Sequence, residues 1–155
     1  MKPIYQNETL EEVFTATESF VFKNPIAKVT PNEHMGIEKI SLDDDFTRID
    51  FVYIAPKKYI NGGWIQIDSG CYIRPIGSVQ RYKLVQAINI PIAPTKYIFK
   101  SKGQVHQFTL LFPALPKIVK QIDIVEKLAD GTYFNFFRVA LQHQEPTCIR
   151  IFNEN

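Results

Sequence analysis

Short runs in which apolar and polar residues alternate, each ended by a turn, constrain this fold more than any other feature. The clearest are FTRIDFVYIAP from Phe46, VHQFTLLF from Val105, KQIDIVEK from Lys120 and TYFNFFRVAL from Thr132; weaker ones include CYIRP, RYKLVQAI, KYIFKS and TCIRIF. A period of two is typical of β-strands. Parallel strands need crossovers of about a dozen residues or more, and the breaks between neighbouring runs are shorter. We therefore predict an all-β chain folded as an antiparallel sandwich or barrel of about nine or ten short strands.

The breaks between the runs carry the topology. Around Pro25 an edge strand with a bulge is predicted, because proline cannot donate to a ladder; its alternating residues are Val21, Lys23, Ile26, Lys28 and Thr30. We interpret GWIQID and CYIRP, separated by Ser69-Gly70, as a hairpin. The fragment PALP at residues 113–116 suits a docking peptide, a greasy surface patch or a break between strands. Since its prolines can end one ladder and begin the next, we interpret it as a connection at a sheet edge or between two sheets.

Helix signals are confined to the start of the chain. Thr9-Leu10-Glu11-Glu12 fits a capping box, in which the hydroxyl and the carboxylate satisfy free backbone donors. A short helix over residues 10–17 is predicted to follow. We therefore divide the chain into an N-terminal segment, residues 1–19, and a β-sandwich domain, residues 20–155.

The charge and the termini bear on partners and location. Eighteen Lys and Arg face sixteen Asp and Glu, a net charge of +2 that is too small to indicate a nucleic-acid or anionic-membrane partner. No apolar run approaches the roughly 18 residues of a membrane helix, so no membrane insertion is predicted. The N-terminus lacks the apolar region of a signal peptide. We expect a cytoplasmic protein if the chain is full length, and an exported one if a leader has been removed.

Residues that commonly carry chemistry do not form a recognisable motif. His34, His106 and His143 lack metal-ligand spacing, and we interpret His106 as a hydrogen-bonded surface residue. Cys71 and Cys148 share no CxxC spacing and are either bridged or two small core residues. The Asp43-Asp44-Asp45 triplet is more typical of a turn than of a calcium site. The sequence thus predicts no catalytic, cofactor-binding or metal-binding residue, no cofactor, and no enzyme.

Aromatic residues are the remaining candidates for contact with a ligand. Trp64, Tyr72 and Tyr82 could line a carbohydrate platform, although a lone tryptophan in a sandwich is more often part of the core. In KYIFKS, alternation places Lys96, Ile98 and Lys100 on one face of a strand. We interpret these lysines as guards of an edge strand rather than as a nucleic-acid surface.

The order of the segments resembles a known group of domains. An aromatic-rich strand with a proline bend at residues 108–116 is followed by D-x-x-E at residues 123–126 and F-N-F-F at residues 134–137. This order resembles the immunoglobulin-like β-sandwich modules of many uncharacterised proteins of Bacteroidetes bacteria. The resemblance implies an immunoglobulin-like sandwich with an accessory, non-catalytic role, and members of that group are usually exported. It transfers no site residue to this chain.

These observations lead to three expectations about function. The first is a non-catalytic interaction or accessory module whose partner is another protein, compatible with a homo-oligomer. The second is a sandwich that binds a carbohydrate or another small ligand through exposed aromatic rings. The third is a hydrolase whose site would join His106 or His143 to a carboxylate or a thiol. Fold class alone cannot choose among them.

Overall fold

The structure, a computed structural model, describes residues 19–28 and 34–141. Every regular element in this part is a strand, which confirms the all-β class. The eleven strands are β1 (Phe20–Lys23), β2 (Met35–Leu42), β3 (Phe46–Ile54), β4 (Trp64–Ile65), β5 (Tyr72–Pro75), β6 (Tyr82–Lys83), β7 (Gln86–Ile88), β8 (Tyr97–Ile98), β9 (Val105–Pro113), β10 (Gln121–Val125) and β11 (Asn135–Ala140). The helix predicted over residues 10–17 and the strand predicted in TCIRIF lie outside the described residues.

The strands form two sheets and a small ribbon. The five-stranded sheet has the order β1-β2-β3-β9-β7, and the four-stranded sheet has the order β11-β10-β5-β6. Strands β4 and β8 form a separate two-stranded ladder, the β4–β8 ribbon. Every paired strand is antiparallel to its neighbour, and the single parallel contact is an isolated bridge between Ile67 and Ile92. The predicted antiparallel arrangement is therefore confirmed.

The long strands β3 and β9 run through the centre of the five-stranded sheet. They pair along their whole length, from Phe46 opposite Pro113 to Ile54 opposite Val105. Alternation turns one face of this pair toward the four-stranded sheet. There the ring of Phe51 lies 5.0 Å from that of Phe108 in β9 and 5.8 Å from that of Phe136 in β11. The two sheets thus bury one common core.

Strand β1 lies at the edge of the five-stranded sheet, as predicted, but it ends at Lys23 and does not continue through a bulge at Pro25. Beyond Pro25 the chain leaves this sheet and contacts the other one. The Lys28 N–H donates to the Phe137 carbonyl at 3.1 Å, and the Ala140 N–H donates to the Ile26 carbonyl at 3.3 Å. The segment after β1 therefore joins the edges of both sheets on one side of the molecule.

Strand β10 carries a buried acid at an irregular position. Its register with β11 shifts between Ile122 and Ile124, and Arg138 opposite this point has a φ of 56°. The Arg138 N–H donates to one oxygen of Asp123 at 3.0 Å, and the Arg74 guanidinium binds the other at 2.9 Å. The Asp123 carboxylate therefore holds a backbone bulge that would otherwise weaken the ladder.

The predicted hairpin of GWIQID and CYIRP is wrong. In the ribbon Trp64 lies opposite Ile98, whereas CYIRP forms β5 between β10 and β6. A tight turn explains the difference: the Cys71 N–H donates to the Asp68 carbonyl at 3.1 Å and redirects the chain into the other sheet. The PALP fragment begins at the last residue of β9 and leads to β10, and therefore connects the two sheets as predicted.

Candidate functional site

The three aromatic residues proposed from the sequence do not form a common platform. Trp64 is 47% exposed, Tyr72 is buried, and Tyr82 packs against the core. In the β5–β6 ladder Tyr72 lies opposite Lys83 and Ile73 lies opposite Tyr82. Directly paired residues share a face, so the two tyrosines point to opposite faces of the sheet. Of the three, Trp64 presents the largest ring to solvent, and its expected place in the core is wrong.

A cavity of about 600 Å³ opens where the two sheets part, beside the edge strand β1. Its walls are mostly apolar and come from five places in the chain: β1, the end of β2, the β2–β3 turn, the β9–β10 connection and the residue after β11. The lining residues are Phe20, Phe22, Leu42, Asp43, Asp44, Ala114, Leu115, Lys117, Val119, Lys120 and Leu141.

Local hydrogen bonds explain why the β9–β10 connection forms one wall of this cavity. The prolines of PALP cannot donate to a ladder, so Ala114 and Leu115 leave the sheet. A turn follows, in which the Val119 N–H donates to the Pro116 carbonyl at 3.1 Å. The Leu141 N–H then donates to the Lys120 carbonyl at 2.8 Å, which fixes the connection against the end of β11. The fragment is thus both a connection and part of an apolar surface.

The four charged residues at the mouth of the cavity differ in their hydrogen-bond and ion-pair partners. Asp43 Oδ1 accepts two backbone N–H groups of its own turn, both at 2.8 Å, as the turn interpretation of the triplet predicted. The carboxylate of Asp44 lies 3.9 Å from the Lys117 ammonium, and both are about half exposed. Lys120 has no ion-pair partner within residues 19–28 and 34–141. The mouth can therefore offer a ligand the Lys120 ammonium, in the presence of the Asp43 carboxylate, which is likewise outside any ion pair in the described part.

The reactive residues proposed from the sequence are engaged in structural contacts. Cys71 is a buried free thiol, and burial, more than the nearby Glu126 and Asp68, raises its pKa, which makes the thiolate scarce. His106 is hydrogen-bonded as predicted but is buried rather than on the surface: its Nε2 lies 2.7 Å from the Asn89 carbonyl. Both His143 and Cys148 lie outside the described residues.

Glu126 is a functional-looking residue that sequence reasoning missed. It is buried, and its carboxylate accepts the Phe134 N–H at 2.7 Å and the Asp68 N–H at 2.9 Å. Burial raises the pKa of this carboxyl, and the two N–H groups oppose the shift. Because its two oxygens accept N–H groups from two different segments, Glu126 at the end of β10 holds together Asp68, which follows β4, and Phe134, which precedes β11. Its partner Asp68 is 58 positions away, so no local pattern signals the contact.

Sequence reasoning also missed the cavity itself. The residues that close it include Phe20 and Phe22 at one end of the described chain and Leu141 at the other. The only local signal is the apolar character of PALP, which was one of three interpretations of that fragment.

Comparison of the chain with protein-family models, with curated proteins and with solved structures finds no match. In the part of the chain that the structure describes, no three His, Cys, Asp or Glu side chains converge as metal ligands. The same part contains no helix of the length and apolarity needed to cross a membrane.

Proposed function

We propose that this chain is an immunoglobulin-like β-sandwich that binds another protein without catalysing a reaction, and that the cavity beside β1 is its binding site. The observation that carries the proposal is the position of this apolar cavity directly against an edge strand. Edge strands and adjacent pockets together suit the capture of an extended segment of a partner.

The strand order supports the immunoglobulin-like class. Such domains pair strands A-B-E-D in one sheet and G-F-C in the other, and C′ is added beside C in the variable type. Here the order is the same when β1 and the β4–β8 ribbon are left out and the remaining strands are lettered A, B, C, C′, D, E, F and G along the chain. The first sheet, β2-β3-β9-β7, then reads A-B-E-D, and the second, β11-β10-β5-β6, reads G-F-C-C′. Strand β1 is an additional strand beside β2. Neither β3 nor β10 contains a cysteine for the disulfide of antibody domains, so the likeness is one of topology.

Strand β1 offers backbone groups to a partner. Within the described residues β1 pairs only with β2, so the N–H and C=O groups of its outer side lack a ladder partner there. Its Phe20 is 46% exposed and its Val21 is 52% exposed. A partner strand added along this edge would form main-chain hydrogen bonds and direct alternate side chains toward the cavity.

The cavity and its charge specify the chemistry of that partner segment. Its volume of about 600 Å³ accommodates a few apolar side chains, and its walls are aliphatic and aromatic. Lys120, which lacks an acidic partner in the described part, favours a carboxylate close to those apolar anchors. The partner is therefore proposed to present an extended segment of alternating apolar residues with an acidic neighbour.

The contacts of the reactive residues support a non-catalytic role. The thiol of Cys71 is buried, and burial raises its pKa, whereas nucleophilic cysteines are accessible and have a lowered pKa. The Nε2 of His106 is hydrogen-bonded to a backbone carbonyl. Both carboxylate oxygens of Glu126 accept backbone N–H groups. Each of these residues therefore has a structural role.

The same cavity favours one second candidate, the binding of a small apolar ligand. Pockets for such ligands commonly measure about 300–1,000 Å³ and combine apolar walls with a few polar groups. An apolar carboxylic acid would satisfy Lys120 as well as an acidic side chain does. The experiment must therefore separate peptide from small molecule.

To test the proposal, a phage-displayed library of random 12-residue peptides is selected for binding to the full chain. In parallel, the fluorescence of Nile red, an uncharged apolar dye, measures binding of a small molecule in the cavity. Ala114→Trp fills the cavity, and Ile118→Trp adds the same ring at a site that is 85% exposed. We expect enriched peptides with alternating apolar residues and an acid, at least tenfold weaker on A114W and unchanged on I118W. Both variants should keep the far-UV circular dichroism of the parent.

Three other outcomes would contradict the proposal. Peptides that bind A114W as tightly as the parent would place the binding surface elsewhere. Enrichment of no peptide, with Nile red binding that A114W removes, would favour the small ligand. Neither peptide nor dye binding would leave the cavity without a function.

A further inference from the structure

The end of the molecule opposite the cavity is built from two loops held against each other. Residues 55–67 and 92–105 meet there through the pairing of β4 with β8. The Gly103 N–H also donates to the Ala55 carbonyl at 2.9 Å. These contacts make the two segments one continuous surface, the basic end.

This surface carries positive charge and no negative charge. The two segments contain no Asp and no Glu, and none of their lysines forms an ion pair in the described part of the chain. All five lysines are exposed: Lys57, Lys58, Lys96, Lys100 and Lys102. The whole-chain charge of +2 conceals this cluster, because acidic residues elsewhere compensate it. A local field of five like charges is the kind that attracts an anionic surface.

Large apolar side chains protrude among these lysines. Ile60 is 97% exposed and Ile98 is 63% exposed, while Tyr59 and Trp64 are each about half exposed. The ammonium of Lys96 lies 4.3 Å from the centroid of the Trp64 ring. Single exposed apolar residues occur elsewhere on this chain, but here four of them lie in two segments that are paired with each other, and a clustered apolar patch is typical of a contact surface.

Lysine and apolar side chains meet on the ribbon, where the Lys96 ammonium lies over the Trp64 ring. Trp64 and Ile98 are directly paired, so they point the same way. Alternation in KYIFKS was predicted to place Lys96, Ile98 and Lys100 on one face of a strand. These three are exposed and Phe99 is buried, but the strand itself spans only Tyr97–Ile98.

The exposed isoleucines Ile60 and Ile98 distinguish between the kinds of anionic partner that this surface could bind. A single-stranded nucleic acid or an anionic glycan would neutralise the lysines and stack on Trp64 and Tyr59. Neither supplies an apolar phase for Ile60 and Ile98. The surface of an anionic bilayer supplies both, because its headgroups attract lysines and its interface takes up aromatic and aliphatic side chains.

We propose that the basic end docks on the surface of an anionic lipid bilayer. The lysine ammonium groups contact the headgroups, Trp64 and Tyr59 lie at the interface, and Ile60 and Ile98 reach the start of the acyl chains. In this arrangement the basic end lies on the membrane surface. This inference is independent of the cavity and of its proposed partner, and it replaces the conclusion drawn from net charge alone.

Trp64 is the only tryptophan of the 155 residues, so its fluorescence reports directly on this surface. The full chain is titrated with vesicles of phosphatidylcholine and with vesicles containing about one third phosphatidylserine. We expect a blue shift of emission with the anionic vesicles alone, and its loss at high salt because screening weakens the attraction. A single-stranded oligonucleotide is titrated in parallel.

Two double variants and a matched control test which residues act. Lys100→Gln with Lys102→Gln should weaken binding roughly 25-fold, since each lysine near the surface contributes roughly fivefold in affinity. Ile60→Ser with Ile98→Ser should weaken vesicle binding at least fivefold. Lys23→Gln with Lys28→Gln removes the same charge near β1 and should change nothing.

The proposal is overturned if the parent chain does not bind anionic vesicles at low salt. It is also overturned if the isoleucine variant binds them as the parent does, or if the control variant loses binding equally. Tighter binding to the oligonucleotide than to the vesicles would assign the surface to nucleic acid instead.

Discussion

The two ends of the central strands differ in shape and in charge. At one end Phe46 lies opposite Pro113, beside a concave apolar cavity whose mouth carries both aspartates and lysines. At the other end Ile54 lies opposite Val105, below two protruding loops with five lysines and no acid. The same two strands thus lead at one end to a cavity whose mouth has balanced charges and at the other to a surface of lysines without acids.

The connections at the two ends differ in what they build. At the cavity end a tight turn, capped by Asp43, joins β2 to β3, and the β9–β10 connection forms a wall of the cavity. At the basic end the chain runs from Ile54 to Trp64 before the next strand begins, so side chains project beyond the sheets. Whole-chain charge and composition average over both ends. They therefore describe neither surface.

The largest expected effect comes from the core that both ends share. Phe51→Ala removes the ring that contacts Phe108 and Phe136, and should lower the free energy of unfolding by about 3–5 kcal/mol. Phe46→Ala in the same strand, at a position that is 42% exposed, should cost about 1 kcal/mol or less. Urea denaturation followed by circular dichroism measures both.

The same urea denaturation tests whether the two ends of the molecule unfold together. Trp64 fluorescence reports on the basic end, whereas circular dichroism reports on both sheets. We expect coincident transitions, because one core supports both ends. A Trp64 transition at lower urea would show that the basic end unfolds as a separate unit.

A smaller effect is expected at Glu126, whose carboxylate accepts the N–H of Asp68, the residue that directly follows the basic end. In Glu126→Gln a single carbonyl oxygen faces the two N–H groups of Asp68 and Phe134, so one buried donor loses its acceptor. The expected loss of stability is about 1–3 kcal/mol. Thermal melts of both proteins from pH 4 to pH 8 measure it.

The pH dependence has a defined sign. Burial raises the pKa of Glu126 above its unfolded value of about 4.3, so its contribution to stability is fully present below that value. The contribution declines as pH rises through the raised folded pKa, because the buried carboxylate must ionise. The difference between the parent and E126Q should therefore shrink from pH 4 toward pH 8. A constant difference would contradict the role of burial.

The smallest effects should have opposite signs at the two ends. Asp44→Asn removes the exposed pair with Lys117 and should cost about 0.5 kcal/mol or less. Lys100→Glu relieves repulsion among the lysines of the basic end and should raise the melting temperature slightly. Both shifts should vanish in about 1 M salt, where charges are screened within about 3 Å. Shifts of equal sign would mean that the ends do not differ in charge balance.

Local alternation predicted the long strands well and the short ones poorly. In β3 and β9 nine residues repeat the pattern, so one face is specified many times over. Strands β4 and β8 contain two residues each, which is too few to show a period, and the predicted hairpin failed there. In KYIFKS the alternation correctly indicated that Lys96, Ile98 and Lys100 are exposed, but the pairing of this segment with β4 was not predicted.

The candidate sites were less predictable than the strands. The predicted trio of Trp64, Tyr72 and Tyr82 is separated because register places the two tyrosines on opposite faces and Trp64 on the ribbon. Sequence distance hides the contact between Glu126 and Asp68. The cavity needs walls from five separate places in the chain, and no single one of them is unusual.

The sequence by itself determined that the chain is all-β and antiparallel, and which side chains share a face of each long strand. Those properties follow from a period of two and from short breaks, and both are local. The tertiary structure alone decided which strands are neighbours, where the sheets part beside PALP, and that five lysines and Trp64 meet at one end. Strand neighbours and sheet edges depend on closing long loops, and the free energy of such closure is not written in any one segment.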